Sequence, residues 1–327
     1  MAEWGIQTRA QNGRMVTLNA GLRMVRQVYD GPINVNRRDG SAWTPLPGLS
    51  PGSDIFLVPM AKYYYEIPNI SDLTGYARDN DGIKTWSDSF RGGETNWSFR
   101  GKVFEIIPPR DPPEFGILMR DSVQFSTLGR HQISYITHME EIVFTGYWRI
   151  PDHVQGRDSA VIYVNWSDAN DEITLRPDGP DAIRGWRITH NGNQATSDGI
   201  RANMRICVMA TVPDLQLPDY GIAIWNNQGQ LVFTTGYTPF SYHSYATLNG
   251  LGSVETGIAR PMVPVLDYGL LGEGFQSWVR LFYLGVGIQG GRVYGRKGEK
   301  VGEGKNLIGR SMTLNHRIAI LDADKYF

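Results

Sequence analysis

The sequence predicts an all-β protein of three tandem β-sandwich-like domains related by an internal repeat, and three observations carry that prediction. A tetrad of acid, aromatic, glycine and isoleucine occurs three times, at Glu3 to Ile6, Glu114 to Ile117 and Asp219 to Ile222. Short β-branched or aromatic runs such as "DIFLVPM", "AKYYYEI", "KVFEII", "AVIYVNW", "RICVMATV", "WVRLFYLGV" and "HRIAIL" are bounded by Gly, Pro, Asp or Asn, which is the pattern of strands. No stretch keeps apolar residues at three and four spacing over three turns without an interrupting Gly or Pro, so no helix is expected.

The repeat comes first. Trp4-Gly5-Ile6 aligns with Tyr220-Gly221-Ile222, Gly13 with Gly229, and Met15-Val16 with Leu231-Val232, without a gap. In each copy apolar residues alternate into a turn and out again, which predicts a hairpin. Ile222 and Ile224 fall on one face, and Asn226-Asn227-Gln228-Gly229 turns the chain. Glycine at the fourth place suits a type I turn followed by a left-handed residue, a conformation that costs a side chain with a Cβ but costs glycine nothing. The middle copy, "PPEFGILMRDSVQFSTLGR", has a shorter turn. The copies start about 110 residues apart, the length of a small sandwich domain. Prolines in "IIPPRDPPEFG" and "TVPDLQLPDYG" mark the ends of modules. Domains are therefore expected at 1–110, 111–215 and 216–327, with Trp4, Phe115 and Tyr220 at equivalent strand positions.

The remaining elements follow from composition. The 38 Gly and 18 Pro imply many turns, while 41% apolar content is too high for a disordered chain. A formal net charge of −1, with no module strongly basic, argues against a nucleic-acid surface. The most basic stretch, "GGRVYGRKGEKVGEGK", is expected to be a solvated loop, mobile from Gly290 to Lys305 until a partner orders it. No apolar run approaches the length of a membrane span. The opening Met-Ala-Glu-Trp lacks a basic and apolar leader, so synthesis in a cytoplasm is expected. The single cysteine, Cys207, reads as a core residue of the strand-like "RICVMATV".

Several stretches invite an enzymatic reading and fail it. Gly285, Gly287 and Gly290 have dinucleotide-binding spacing after an apolar run, but the residues beyond are broken by glycine and cannot begin the helix that would hold a pyrophosphate. Asp168, Asp171, Glu172, Asp178 and Asp181 supply oxygen enough for calcium, yet lack EF-hand order and read as a solvated acidic loop. Asp79 and Asp81 could join a carboxylate pair, but "DNDG" reads first as a turn. His131 and His138 match no zinc spacing, and "QISYITH" reads as a strand with His138 near its end. With no Gly-x-Ser-x-Gly elbow, no catalytic residue, metal or cofactor is assigned.

The aromatic residues stand out instead. "TWSDSFRGGETNWSFRG" places Trp86 and Trp97 around a glycine-containing turn, and "TPFSYHSYATLNG" offers Phe240, Tyr242 and Tyr245. Rings in polar loops can stack on sugars or plug into a partner protein; they can also be core anchors with a polar edge in solvent. These five residues are the candidate interface or glycan-binding positions.

The opening Met-Ala-Glu-Trp-Gly-Ile, its Asn-Gly turn and the following "RMVTLNAGLRMVRQV" resemble the start of proteins encoded among the tail genes of tailed bacteriophages. The likeness covers about the first 30 residues, and Thr17-Leu18-Asn19 departs from the Phe-Asp-Ser of that group. It implies a structural virion protein of the tail, at the tip, the collar or a fibre attachment. Such a protein is no enzyme and acts through interfaces with copies of itself, as a trimer or hexamer, or with other tail proteins. The alternative is a receptor- or glycan-binding tail adhesin; a polysaccharide-cleaving enzyme would need an acid pair that cannot be located.

Overall fold

The computed structural model describes residues 5–9, 15–19, 24–36, 42–60, 63–66, 69–90, 96–107, 133–166, 173–188, 195–196, 199–226, 228–275, 278–305, 311–313 and 316–327. The fold is all-β: among the described residues every element is a strand except two short 3-10 turns at Arg157–Ser159 and Ala323–Lys325.

An N-terminal hairpin pairs β1 (Gly5–Arg9) with β2 (Met15–Asn19). A curled sheet follows, made of β3 (Val25–Asn36), β4 (Ala42–Pro45), β5 (Asp54–Pro59), β6 (Tyr63–Glu66), β7 (Asn69–Asp79), β8 (Gly82–Phe90) and β9 (Asn96–Ile106). Its order is β5-β9-β3-β8-β7-β6, with β4 added beside β8. The "DNDG" turn closes the β7–β8 hairpin between Asp79 and Gly82, and Asn80 takes the left-handed conformation at φ 52°. One face of this sheet gathers Ile33, Val35, Ile55, Leu57, Leu73, Ile83, Trp97, Phe99 and Val103 into a core of its own.

The chain continues through β10 (Ser134–Phe144), β11 (Tyr147–Arg149), β12 (Val161–Trp166), β13 (Ile173–Pro177), β14 (Ala182–Ile188), β15 (Ala195–Thr196) and β16 (Ala202–Thr211). Beyond the proposed boundary at 215 lie β17 (Ala223–Trp225), β18 (Leu231–Thr234), β19 (Thr238–Pro239), β20 (Ser244–Leu248), β21 (Ser253–Glu255) and β22 (Pro261–Pro264). The last strands are β23 (Gly269–Phe275), β24 (Trp278–Gln289), β25 (Arg292–Lys305), β26 (Ser311–Thr313) and β27 (His316–Asp322). A seven-stranded sheet in the order β19-β10-β16-β12-β22-β27-β20 draws strands from both sides of residue 215. Strands from Ser134 to Asp322 thus pair in this one sheet, while β11, β13, β14 and β15 form a second and β21 with β23 to β26 a third, and side chains from all three contribute to one large core in which Cys207 is fully buried. The prolines of "TVPDLQLPDYG" end β16, but the strands beyond them return to pair in the same sheet. Strand β10 runs past His138 to Phe144, with a bulge between Ile136 and His138, so His138 lies inside the strand rather than near its end.

The two outer repeats are both hairpins. Their closing pairs, Arg9 with Met15 and Trp225 with Leu231, are the same pair under the sequence alignment. A bulge between Ile224 and Trp225 then shifts the later hairpin by one residue. Gly229 sits at φ 76°, its N–H donates to the Asn226 carbonyl at 3.0 Å, and Asn226 Oδ1 accepts from the N–H groups of Gln228 and Gln230. Ile222, Ile224 and Phe233 pack on a small cluster with Met24, Ile107, Ile133, Tyr135 and Val212. Trp4 and Phe115 lie outside the described residues.

The glycine-rich segment is not a loop. Gly285 and Gly287 lie in β24, Gly290 turns the chain at φ 56°, and Arg292–Lys305 forms β25, paired along its length with β24. Its glycines serve close packing of sheets rather than mobility. A Cβ at position 285 would stand 2.7 Å from the Thr174 side chain, and one at position 298 would stand 3.1 Å from Thr174 Oγ1. With strand on both sides of Gly290, no helix N-terminus faces the turn.

Candidate functional site

The five aromatic candidates separate by strand parity. Trp86 and Trp97 are on strands, β8 and β9, not on a loop. Trp97 alternates with Phe99 and Val103 on the core face and is 8% exposed, with its ring 5.7 Å from that of Phe99. Phe240 is fully buried against Tyr163 at 5.4 Å, and Tyr242 is buried. Trp97, Phe240 and Tyr242 are therefore core residues and not surface anchors, because the alternation of their strands and loops turns them inward.

Tyr242 and half-buried Tyr245 do anchor an interface, but one inside the chain. Their rings lie 4.8 Å apart, and the Arg317 guanidinium sits 3.6 Å over Tyr245 while donating to Asp54 at 2.5 Å. Tyr76 of β7 donates its hydroxyl to the Arg317 carbonyl at 3.2 Å. This joint ties the N-terminal sheet to β20 and β27. Burial pushes the Tyr76 phenol up to about 12, so it stays protonated and donates throughout the neutral range. Nearby, burial and the charge of Lys325 push His243 down to about 4, keeping it neutral with Nδ1 accepting from the Asp322 N–H.

Trp86 alone of the five remains well exposed, at 37%, and the fold brings a second tryptophan to its side of the sheet. Trp43 of β4 pairs with Lys84 of β8, so both share the face of Trp86, two residues further along β8. The opposite face carries Thr44, Ile83 and Thr85, all buried. Trp43 is 39% exposed. Each indole rests its nitrogen-bearing edge on a glycine: Trp86 on Gly75, where a Cβ would stand 2.5 Å away, and Trp43 on Gly82. Trp43 Nε1 also donates to the Asp79 carbonyl at 3.5 Å. Between the rings lie Ala77 and Lys84, which are cross-strand partners, and Lys84 meets Asp79 at 3.1 Å. Trp43 escapes sequence reading because "AWTP" is too short to reveal that β4 joins β8; the signal available was the alternation of Trp43 with Thr44 and the glycines across the sheet.

Among the described residues the other sequence candidates are paired with neighbouring side chains rather than gathered into a site. Asp178 pairs with Arg184 at 2.6 Å, and Asp181 pairs with Arg149 at 3.0 Å and with Arg157. Burial pushes the Asp181 carboxyl up, but hydrogen bonds from Arg157 and Arg149 outweigh it and hold its pKa below the ordinary value. Asp168, Asp171, Glu172 and His131 lie outside the described residues. His138 meets Glu140 at 3.0 Å, and Glu140 accepts from Trp148 Nε1 at 2.8 Å. Among the described residues no group of three or more His, Cys, Asp or Glu is arranged to hold a metal ion. No helix among them is long and apolar enough to cross a membrane. A surface hollow of about 440 Å³ lies between β10, β16 and Arg260, with its charges paired, Arg205 to Glu141 at 2.7 Å and Arg260 to Asp324 at 2.5 Å.

An all-β chain of curled and shared sheets with exposed tryptophans defines an architecture rather than a chemistry. The chain belongs to the family described as "Family of unknown function (DUF6453)", whose profile matches residues 5–306. No curated protein and no solved structure matches it.

Proposed function

We propose that this protein is a structural component of a bacteriophage tail that acts through protein-protein interfaces in the virion, without catalysis or a cofactor. The observation that carries the reading is a concentration of exposed apolar side chains around the third repeat: Leu217 is 57% exposed, Tyr220 87% and Trp225 51%. Apolar residues grouped on a monomer surface mark interaction sites. Trp225 is the outward residue of a hairpin whose other face, Ile222 and Ile224, is already used on the internal cluster. A formal net charge of −1 leaves little electrostatic repulsion against self-association. The resemblance of the opening residues supplies the setting, a tail.

The test is the double variant Tyr220→Ala, Trp225→Ala. On this reading the wild type sediments as an oligomer or is incorporated into particles, and the variant stays folded but loses that association. A wild type that remains monomeric and is absent from purified particles contradicts the reading.

A further inference from the structure

We propose that the outer face of the N-terminal sheet at Trp43 and Trp86 binds an extended, uncharged oligosaccharide of gluco configuration. It stands apart from the assembly reading, because Trp225 lies in the separate β17–β18 hairpin and Leu217 and Tyr220 in the segment leading into it.

The two rings are held for contact rather than for folding. Each gives one edge to a glycine backbone and keeps more than a third of its surface in solvent, at 39% for Trp43 and 37% for Trp86. Glycines at 75 and 82 let the large rings lie close to the sheet, which limits their motion before a ligand arrives and so lowers the ordering cost of binding. The glycines lie under rings that flank Lys84. Trp86 rests beside its own position, and Trp43 reaches to position 82, four residues back along β8, or about 13 Å. That separation suits a chain of several sugar units lying along the strand better than one ring.

The chemistry of the strip selects the ligand. Between positions 82 and 86 of β8 the described residues on this face, besides the tryptophans, are Pro45, Ala77, Asp79 and Lys84, and among these there is no Leu, Ile, Val, Met or Phe. A protein hot spot gathers aromatic and apolar anchors in a desolvated centre, and this strip has no aliphatic centre to bury. Lys84 and Asp79 neutralise each other at 3.1 Å, so the described residues between the rings offer no excess positive charge to attract an anionic chain. Both groups retain hydrogen-bonding capacity at the rim, with side chains 45% and 35% exposed. A pyranose with equatorial hydroxyls presents C–H faces to an aromatic ring and hydroxyls at its edge, matching apolar rings between polar neighbours.

The experiment titrates the full-length protein with cellohexaose and with chitohexaose, read by tryptophan fluorescence and by saturation-transfer NMR. At least one hexasaccharide is expected to bind, and Trp43→Ala or Trp86→Ala to weaken it about tenfold each, the loss of an aromatic anchor. Ala77→Gln, which fills the exposed space between the rings without removing either, is expected to weaken binding while leaving the thermal midpoint unchanged. Its behaviour separates a lost ligand contact from a misfolded sheet. Failure of both sugars to bind the wild type overturns the proposal, as does binding that all three variants leave unchanged. A change of oligomeric state in the tryptophan variants without sugar binding also overturns it, in favour of a protein interface.

Discussion

Phe104 and Trp86 stand on the same face of one sheet and have opposite fates. Where β5, β9 and β3 form the sheet, that face is sealed: Val25, Phe56, Val58, Phe104 and Ile106 join the core of the central sheet, with Phe56 and Phe104 stacked at 5.0 Å. Where β4, β8 and β7 form it, the same face is open and carries Trp43 and Trp86. The lysines repeat the contrast. Lys102 on β9 is 1% exposed and donates to the Ala160 carbonyl at 2.8 Å and the Asp158 carbonyl at 3.4 Å. Lys84 on β8 meets a carboxylate in solvent. One half docks the sheet onto the rest of the chain, and the other half is available to something else. The difference lies in what covers the face and not in how apolar it is.

The largest expected effect is on the sealed half. Phe104→Ala should cost about 3–5 kcal/mol, the loss for a buried aromatic ring, read as a lower urea midpoint. A loss under about 1 kcal/mol would mean that the two sheets are not docked through this face.

Lys102 gives a pH test of the same half. Burial lowers its pKa from the ordinary 10.5 to about 8, with Asp30 and Asp158 opposing the shift and Arg100 adding to it. Because the folded value is the lower one, the unfolded chain binds more protons between pH 8 and 10.5, so the Lys102 contribution to stability rises with pH through that window. The rise is about 3 kcal/mol, and below pH 8 the cost of burying the ammonium is fully present. Urea unfolding of wild type and Lys102→Met across pH 7–11 should differ by that rise. Parallel curves would place Lys102 in solvent.

Gly75→Val tests the support of the open half. Placing a branched side chain under Trp86 should cost about 1–3 kcal/mol, and the cost should shrink in a Trp86→Ala background, since the clash is with that ring. An equal cost in both backgrounds would remove Trp86 from Gly75. Trp43→Ala and Trp86→Ala, the smallest effects, should each cost about 1 kcal/mol, because much of each ring is already wet.

The all-β class and the hairpin at Asn226 to Gly229 were legible because both are local: alternation, β-branched runs and a turn that needs glycine. The burial of Cys207 was legible for the same reason. The fate of the tryptophans was not, since one residue of parity separates a core ring from a surface one, and parity becomes burial only when the partner strand is known. Nothing local distinguishes Trp97 from Trp86; their strands lie on either side of β3 and present opposite faces. The glycine-rich "GGRVYGRKGEKVGEGK" misled in the same way. Its Gly298 answers to Thr174, more than a hundred residues away, and its Gly295 to the backbone at Gly250, and composition carries no trace of those contacts.

Hydroxyl-radical footprinting of the native protein, read by mass spectrometry, tests most directly whether the two halves of the face differ as described. Trp43 and Trp86 should oxidise rapidly while Phe104 and Trp97 stay protected, in line with exposures of 39% and 37% against 1% and 8%. Equal protection of Trp86 and Phe104 would mean that the open half is covered by the chain itself, and would contradict the account.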